Sequence, residues 1–277
     1  MERPPEKPFV ISLKNPRLPR RLKFDISRVE DFSPLYQVIL ADTYSGLAIL
    51  PGDVVLDAGA NSGAFTTMAA QLVGPSGLVI SIEPEEANFR QLEKNVRLNG
   101  LPNVRLFKGV LWNEDGGKVR LEGRGIMARA GHGDTTAGGA SADTFTLSQI
   151  LSEAGVARLN KVKMDIEGSE ELVLFSPKST AIFDAEEIAI EFHSKYGAQA
   201  IRELLTARGY REGECLPRSE DLVSLLRGSL LNPISTLHLE YANEFRSVRR
   251  LLGHFVRIAL RAEQSEFFET AFFSQPT

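Results

Sequence analysis

Cysteine is almost missing from this chain: Cys215 stands alone among 277 residues, so no intrachain disulfide and no cysteine-built zinc site can form. No run of about 18 apolar residues occurs, and the opening MERPPEKPFV has no apolar signal core. A cytoplasmic protein with no membrane span is therefore expected. An excess of charge is lacking too. The 32 Lys and Arg against 36 Asp and Glu leave a net charge of −4, too little positive charge to coat a nucleic acid. What remains is an ordinary globular composition, 43% hydrophobic and 25% charged, which excludes a disordered or collagen-like chain and suffices for a sizeable core. At about 150 residues per domain, the length suits one large domain with appendages.

Residues 1–31 are proline-rich and carry a basic cluster, Lys14, Arg17, Arg20, Arg21 and Lys23, which reads as an arm or an edge element. A helix is predicted from Ser33, a good N-cap followed by Pro34, with Tyr36, Ile39, Leu40, Tyr44 and Leu47 at helical spacing. Pro51-Gly52 stops it. From there strands and helices alternate. Strands are predicted at 54–56, 78–82, 104–107, 161–166 and 188–190, helices at 65–73 and past 85, 168 and 193, and a hairpin strand at 118–121. Thr146 with Gln149 makes a capping box for a short helix. Such alternation predicts an α/β fold with a Rossmann-like, doubly wound, mostly parallel sheet. Residues 122–143 interrupt it with a glycine-rich loop, and residues 243–263 carry an amphipathic helix with Phe245, Val248, Leu252, Phe255, Ala259 and Ala262 on one seam. The expected organisation is an N-terminal arm and helix (1–50), a nucleotide-binding domain (51–212) and a C-terminal helical extension (213–277). That last helix could dock on the sheet, seal a homodimer or meet another partner.

In open α/β sheets ligands bind at the carboxyl ends of the strands, where the first turn and helix terminus offer N–H groups. Here that turn reads Asp57-Ala58-Gly59-Ala60-Asn61-Ser62-Gly63. It lacks the middle glycine that lets a pyrophosphate approach and the Lys-Ser/Thr of a phosphate loop. No tyrosine has a lysine four residues on, which removes short-chain hydride transfer as well. A nucleoside with a charged but phosphate-free tail fits better, and S-adenosyl-L-methionine is such a ligand. Asp57 would draw its ammonium, Gly59 would leave room for its amino-acid part, and Glu83 would accept both ribose hydroxyls.

Three stretches, DAGANSG after VVL, EPEEANFRQLEKNVRLNG and above all KMDIEGSEELVL, resemble the FkbM-like S-adenosylmethionine-dependent methyltransferases over about residues 45–210. The resemblance implies a class I methyltransferase fold and methyl transfer to a hydroxyl of a sugar, polyketide or other small metabolite. It places Asp57, Gly59, Asn61 and Gly63 in the first cofactor motif, makes Glu83 the ribose acceptor, and puts Asp165, Glu167, Gly168 and Glu170 in the signature after the fourth strand. This chain departs from the family in having Thr146-Leu147-Ser148 where Thr-Leu-Asp is common.

Displacement at a sulfonium requires the acceptor, methyl carbon and sulfur in line, and a hydroxyl acceptor must lose its proton. Asp165 and Glu167 leave one strand at i, i+2 and Glu191 and His193 leave the next in the same way. These four are the catalytic candidates. Asp165 and His193 are the possible bases, since neighbouring carboxylates can raise a pKa towards neutrality. The same four could ligate a divalent ion that acidifies the acceptor, although catalysis without a metal is the expectation. Glu167 could instead cap the next helix, Lys163 could brace a carboxylate or carbonyl, Trp112 and Phe107 could stack on adenine or pack in the core, and His132 belongs to the glycine-rich loop. Two other functions compete: RNA methylation with the basic arm on phosphates, and a non-catalytic module acting through the C-terminal helix.

Overall fold

The structure is a computed structural model that describes residues 9–26, 31–40, 42–121, 140–193, 195–213, 216–217, 237–239 and 269–276. It begins with β1 (Phe9–Leu13) and β2 (Leu22–Ile26), an antiparallel pair with Ile11 opposite Phe24. Ile11, Leu13, Leu22 and Phe24 are all fully buried, because alternate residues of the pair point into one core. The proline-rich opening thus supplies core residues. Arg17 is held by Asp42 at 3.0 Å and by the carbonyl of Leu47, so this cation of the basic cluster already has an intramolecular partner.

The helix expected to reach Leu47 is much shorter. It consists of α1 (Phe32–Leu35) and one wider turn over Tyr36–Leu40. Asp42 then takes φ of 49°, a left-handed conformation that breaks a right-handed helix. Helical spacing had captured the buried face, since Tyr36, Ile39, Tyr44 and Leu47 are all buried, but not the turn chemistry.

The alternating part follows as β3 (Val54–Ala58), α2 (Ala64–Val73), β4 (Leu78–Glu83), α3 (Glu86–Leu98) and β5 (Val104–Lys108). Glu85 caps α3 by accepting the N–H of Asn88, and Asn99 ends it. On α3 the polar Gln91 and Asn95 are buried because they serve β2: Asn95 accepts the N–H of Asp25, Gln91 donates to its carbonyl, and Asn99 bonds both backbone groups of Lys23. These amides cover an edge strand whose backbone would otherwise be open.

Next come β6 (Val110–Leu111), β7 (Lys118–Arg120) and β8 (Ser141–Phe145). The hairpin expected across residues 114–117 is not formed. β8 lies between the two, parallel to β6 and antiparallel to β7, so residues 141–143, expected as the end of the glycine-rich loop, are strand and take the ladder positions. Of that segment, residues 122–139, with His132, lie outside the described residues.

The chain continues with α4 (Leu147–Ala154), β9 (Lys161–Met164), α5 (Glu170–Leu174), β10 (Glu187–Phe192) and α6 (Lys195–Ala207). Thr146 caps α4 by accepting the N–H of Gln149, while the Gln149 side chain turns to Glu153, which is half of a capping box. The short strands β11 (Arg211–Glu212), β12 (Leu216–Pro217) and β13 (Leu237–Leu239) precede β14 (Glu269–Ser274).

The central sheet runs β11-β14-β10-β9-β3-β4-β5, with β12 also on β14. The five strands from β10 to β5 are parallel, and β14 enters antiparallel between β10 and β11. This is the α/β, Rossmann-like, doubly wound sheet expected. Alternate residues feed the two faces: Leu56, Ile80, Val162 and Ile188 pack on one side and Val55, Val79, Ala189 and Phe272 on the other. β14 adds a strand to the extension after residue 212, where a helix is expected. Ala271 and Phe273 point to one face and Phe272 to the other, which a strand of six residues does and a helix cannot. The amphipathic helix read at 243–263 lies outside the described residues. Among those described, no helix is long and apolar enough to cross a membrane.

Candidate active site

Strand order reverses at β3, whose neighbours β4 and β9 lead to opposite halves of the sheet, and the crevice opens beyond the carboxyl ends of these strands. The turn after β3 is pinned there by the N–H groups of Gly59 and Ala60, both donated to the Ile82 carbonyl at 3.0 Å. Asn61 takes φ of 49°, which asparagine tolerates better than most residues. Its N–H donates to Glu83 Oε2 at 2.8 Å, and its side-chain oxygen accepts the N–H of Ser62.

The glycines of this turn serve the protein's own packing. At Gly59, with φ of +80°, a Cβ would lie 1.8 Å from the backbone oxygen of Asp165, and at Gly63 a Cβ would meet Leu92 at 2.6 Å. Room for the ligand's amino-acid part was the reason read from sequence for Gly59. The close approach of β9 is the one the structure supplies. Gly59→Ala should therefore lower stability by about 2 kcal/mol, read as a fall in thermal midpoint, because the end of β9 must move away from β3.

Asp57 also differs from its expected part. Its side chain is fully buried, accepts a 2.6 Å hydrogen bond from Thr66 and pairs with Lys163 Nζ at 3.2 Å. Lys163 in turn donates to the Gly59 carbonyl at 2.6 Å. Burial works against the lysine's charge, but Asp57 and Asp165 outweigh it and raise its pKa. Asp57 thus acts on the turn through Lys163 and is not placed to take a ligand ammonium directly. The expectation that Lys163 braces rather than reacts agrees with these contacts.

Glu83, at the end of β4, is 5% exposed and accepts the N–H groups of Asn61 and Glu85 at 2.8 and 2.9 Å. Burial dominates its titration and pushes its pKa up from 4.5 to about 7, against the lowering by those two amides.

Across the crevice, β9 runs into Asp165, then Glu167 at φ of 56° and Gly168 at φ of 96°, and β10 delivers Glu191 and His193. The structure brings these four together around the imidazole. His193 Nε2 lies 3.4 Å from Asp165 Oδ1, 3.5 Å from Glu167 Oε2 and 4.0 Å from Glu191 Oε1. Its Nδ1 lies 3.1 Å from Glu170 Oε1. Glu170, nearly fully buried, also accepts the N–H groups of Ile166 and Gly168, so it braces the turn before α5, and neither it nor Glu167 caps that helix. Burial opposes a charge on His193, yet the Glu170 hydrogen bond and the charges of Asp165, Glu170 and Glu167 win and push its pKa up to about 9. At neutral pH the ring is an imidazolium and has no lone pair to act as a base; beside it the Asp165 Oδ1 is buried with no hydrogen-bond partner. Sequence reasoning missed the histidine–Glu170 contact and the buried Asp57–Lys163–Thr66 group. The closeness of Glu170 to an i, i+2 carboxylate pair was the available signal. Trp112 is buried in a small cluster with Val110 and Ala142, and Phe107 meets Phe145 edge-on.

Residues 57–212 match the methyltransferase FkbM domain. The chain is 27% identical over 200 residues to the 31-O-demethyl-FK506 methyltransferase FkbM of Streptomyces tacrolimicus, covering 59% of this chain and 75% of that one. It is 26% identical over 226 residues to the AMB antimetabolite synthetase AmbE of Pseudomonas aeruginosa, covering 64% of this chain but only 10% of the synthetase. Among solved structures, the methyltransferase FkbM from Methylobacillus flagellatus KT is 19% identical with a TM-score of 0.45, over 61% of this chain and 41% of that one.

Proposed function

This chain belongs to the FkbM methyltransferase family, and from that premise we propose that it moves the methyl group of S-adenosyl-L-methionine to a hydroxyl oxygen of a small metabolite such as a sugar or polyketide. The residues present suit that donor. The crevice offers a buried carboxylate at Glu83 with acceptor capacity left after its bonds to two backbone amides. The buried lysine beside the turn is already committed to Asp57 and a carbonyl, which leaves it unsuited to a phosphate. When bound, S-adenosylmethionine supplies a methyl group on a positively charged sulfur, which keeps the carbon–sulfur electron pair as the methyl leaves.

Glu83 accepts the ribose hydroxyls, and the pinned turn over residues 59–63 fixes the nucleoside's place beside it. Asp165, on the wall opposite, receives the acceptor's proton and passes it to solvent. His193 holds Asp165 and Glu167 in place by its positive charge. Glu191, 4.0 Å from the same Nε2, helps to balance that charge. The domain that does this runs over residues 51–212, completed by β14. The name of the Streptomyces relative, which specifies an oxygen acceptor, agrees with oxygen here, and the Asp165 Oδ1, buried beside His193 without a hydrogen bond, is the single observation that carries the reading. Incubation with methyl-labelled S-adenosylmethionine and hydroxylated metabolite fractions tests it. Label retained through mild alkali marks an ether, as expected; label on nitrogen, or none on any fraction, overturns it.

Glu83 supplies a pH test. Only its ionised form accepts from both ribose hydroxyls, so as pH drops below about 7 protonation competes with binding. Affinity for S-adenosylhomocysteine should fall towards tenfold per pH unit, and calorimetry from pH 8 to 5.5 reads it. Stability runs the other way. The folded chain holds a proton there that the unfolded chain releases between 4.5 and about 7, so this group's contribution to stability falls as pH rises through that window. Glu83→Gln should weaken binding by about 10- to 100-fold, the worth of a charged hydrogen bond, and flatten the pH dependence of affinity.

A further inference from the structure

We infer that Asp165, Glu167 and Nε2 of His193 form a site for one divalent cation, which takes the acceptor hydroxyl as a further ligand. This deepens the proposed methyl transfer and rests on it. The ligand atoms lie within 4.8 Å of one another, with Nε2 at 3.4 and 3.5 Å from the two carboxylate oxygens. An ion bound at about 2.0–2.2 Å holds its ligand atoms roughly 3–3.5 Å apart, so small side-chain shifts close the shell.

The contact on the far side of the imidazole is the one a metal-bound histidine uses. Glu170 Oε1 meets Nδ1 at 3.1 Å and is itself held by the N–H groups of Ile166 and Gly168 at 3.2 Å. A carboxylate fixed in this way keeps the proton on Nδ1, so the incoming cation displaces the Nε2 proton of the imidazolium and takes the lone pair that faces Asp165 and Glu167. The His193 side chain is nine-tenths buried, so this aim is held by packing. Independently, Asp165 Oδ1 is buried without a hydrogen-bond partner, and a buried carboxylate oxygen in that state is expensive unless an ion or water completes it.

Charge points the same way. Four carboxylates, of Asp165, Glu167, Glu170 and Glu191, crowd one imidazole. The ammonium of Lys163 is spent on Asp57 at 3.2 Å and stands 3.9 Å from the other Asp165 oxygen. One imidazole with two carboxylates suits a hard or borderline ion such as Mg²⁺ or Mn²⁺. Three protein ligands leave about three positions of an octahedral ion open. Glu167 is half exposed, so these positions face the crevice. An acceptor with two neighbouring oxygens, as on a sugar or polyketide, can fill two of them. In the reaction the acceptor O–H breaks with its proton passing to the Asp165 carboxylate and on to water, its oxygen pair forms the new O–CH₃ bond, and the carbon–sulfur pair stays on sulfur.

The test titrates Mn²⁺ into the full chain without donor or acceptor, read by electron paramagnetic resonance, with S-adenosylhomocysteine binding measured in parallel by calorimetry. One saturable site that Mg²⁺ displaces is expected. His193→Gln and the isosteric Asp165→Asn should each weaken it at least tenfold. Glu170→Gln should weaken it by about 10- to 100-fold through the ring it orients. All three should keep their S-adenosylhomocysteine affinity, which shows that the variants are folded. Absence of saturable Mn²⁺ binding up to millimolar, or binding that His193→Gln and Asp165→Asn leave unchanged, overturns the site. If S-adenosylhomocysteine gives heat and Mn²⁺ does not bind, the cation site alone fails; if the nucleoside gives no heat, the methyl-transfer reading fails.

Discussion

Asp57→Ala is expected to lower the stability of the chain by about 3–5 kcal/mol, the usual cost of leaving one charge of a buried pair without its partner. The thermal midpoint should drop by roughly 10 °C. Lys163, at 5% side-chain exposure, would keep the carbonyls of Ala58 and Gly59 and the more distant Asp165, but no close counter-charge. It cannot reach water without pulling β9 away from β3. Asp57→Asn retains an oxygen for Thr66 but not the charge, and should fall between the two. Replacing both members by apolar side chains, Asp57→Leu with Lys163→Met, should recover much of the loss, since a packed apolar pair has no charge to solvate. Donor affinity should fall in Asp57→Ala together with stability. A single variant that melts with the parent and loses only donor binding would restore direct contact between Asp57 and the ligand.

Asp165→Asn should cut turnover by about 10²- to 10⁴-fold, the range of general-base assistance, while donor affinity stays within about threefold. The isosteric amide keeps the loop shape and the Asp165 backbone, whose N–H continues the ladder to Ala58 at 3.0 Å, and whose carbonyl packs against Gly59. Only proton acceptance, and any hold on a cation, is removed. The split between turnover and binding separates this from a structural fault, which would damage both. Full turnover on the true acceptor would remove Asp165 from the chemistry.

These outcomes depend on features that differ in how far they can be read along the chain. The turn from Asp57 to Gly63 and the carboxylate at 83 are local: strand, turn and helix follow one another within a few residues, so their order in sequence is their arrangement in space. The alternation of Val162, Met164 and Ile166 against Lys163 and Asp165 is equally visible, because a strand sends successive side chains to opposite faces. Harder to read are Gln91 and Asn95. Both look like the wet face of α3, yet both are buried against β2, some 70 residues earlier in the chain, and only the fold brings that edge to them. β14 was missed for a similar reason. Six residues beyond a long stretch of helical spacing carry little periodic signal, and their strand character comes from the open flank of β10 that they fill.

The chemistry divides along the same line. Residue order alone determined the family, the parallel sheet, the crevice at its switch point and the four residues offered to it, since each follows from short-range pattern or from motif. Tertiary structure decided what each residue does there. Whether an aspartate meets solvent or a lysine, whether an imidazole carries a proton, and why a glycine is required all depend on which groups from distant strands share a few ångströms of low-dielectric space. Asp57 and Lys163 are 106 residues apart and Glu170 and His193 are 23 apart; burial makes each pair one electrostatic unit that no local pattern encodes.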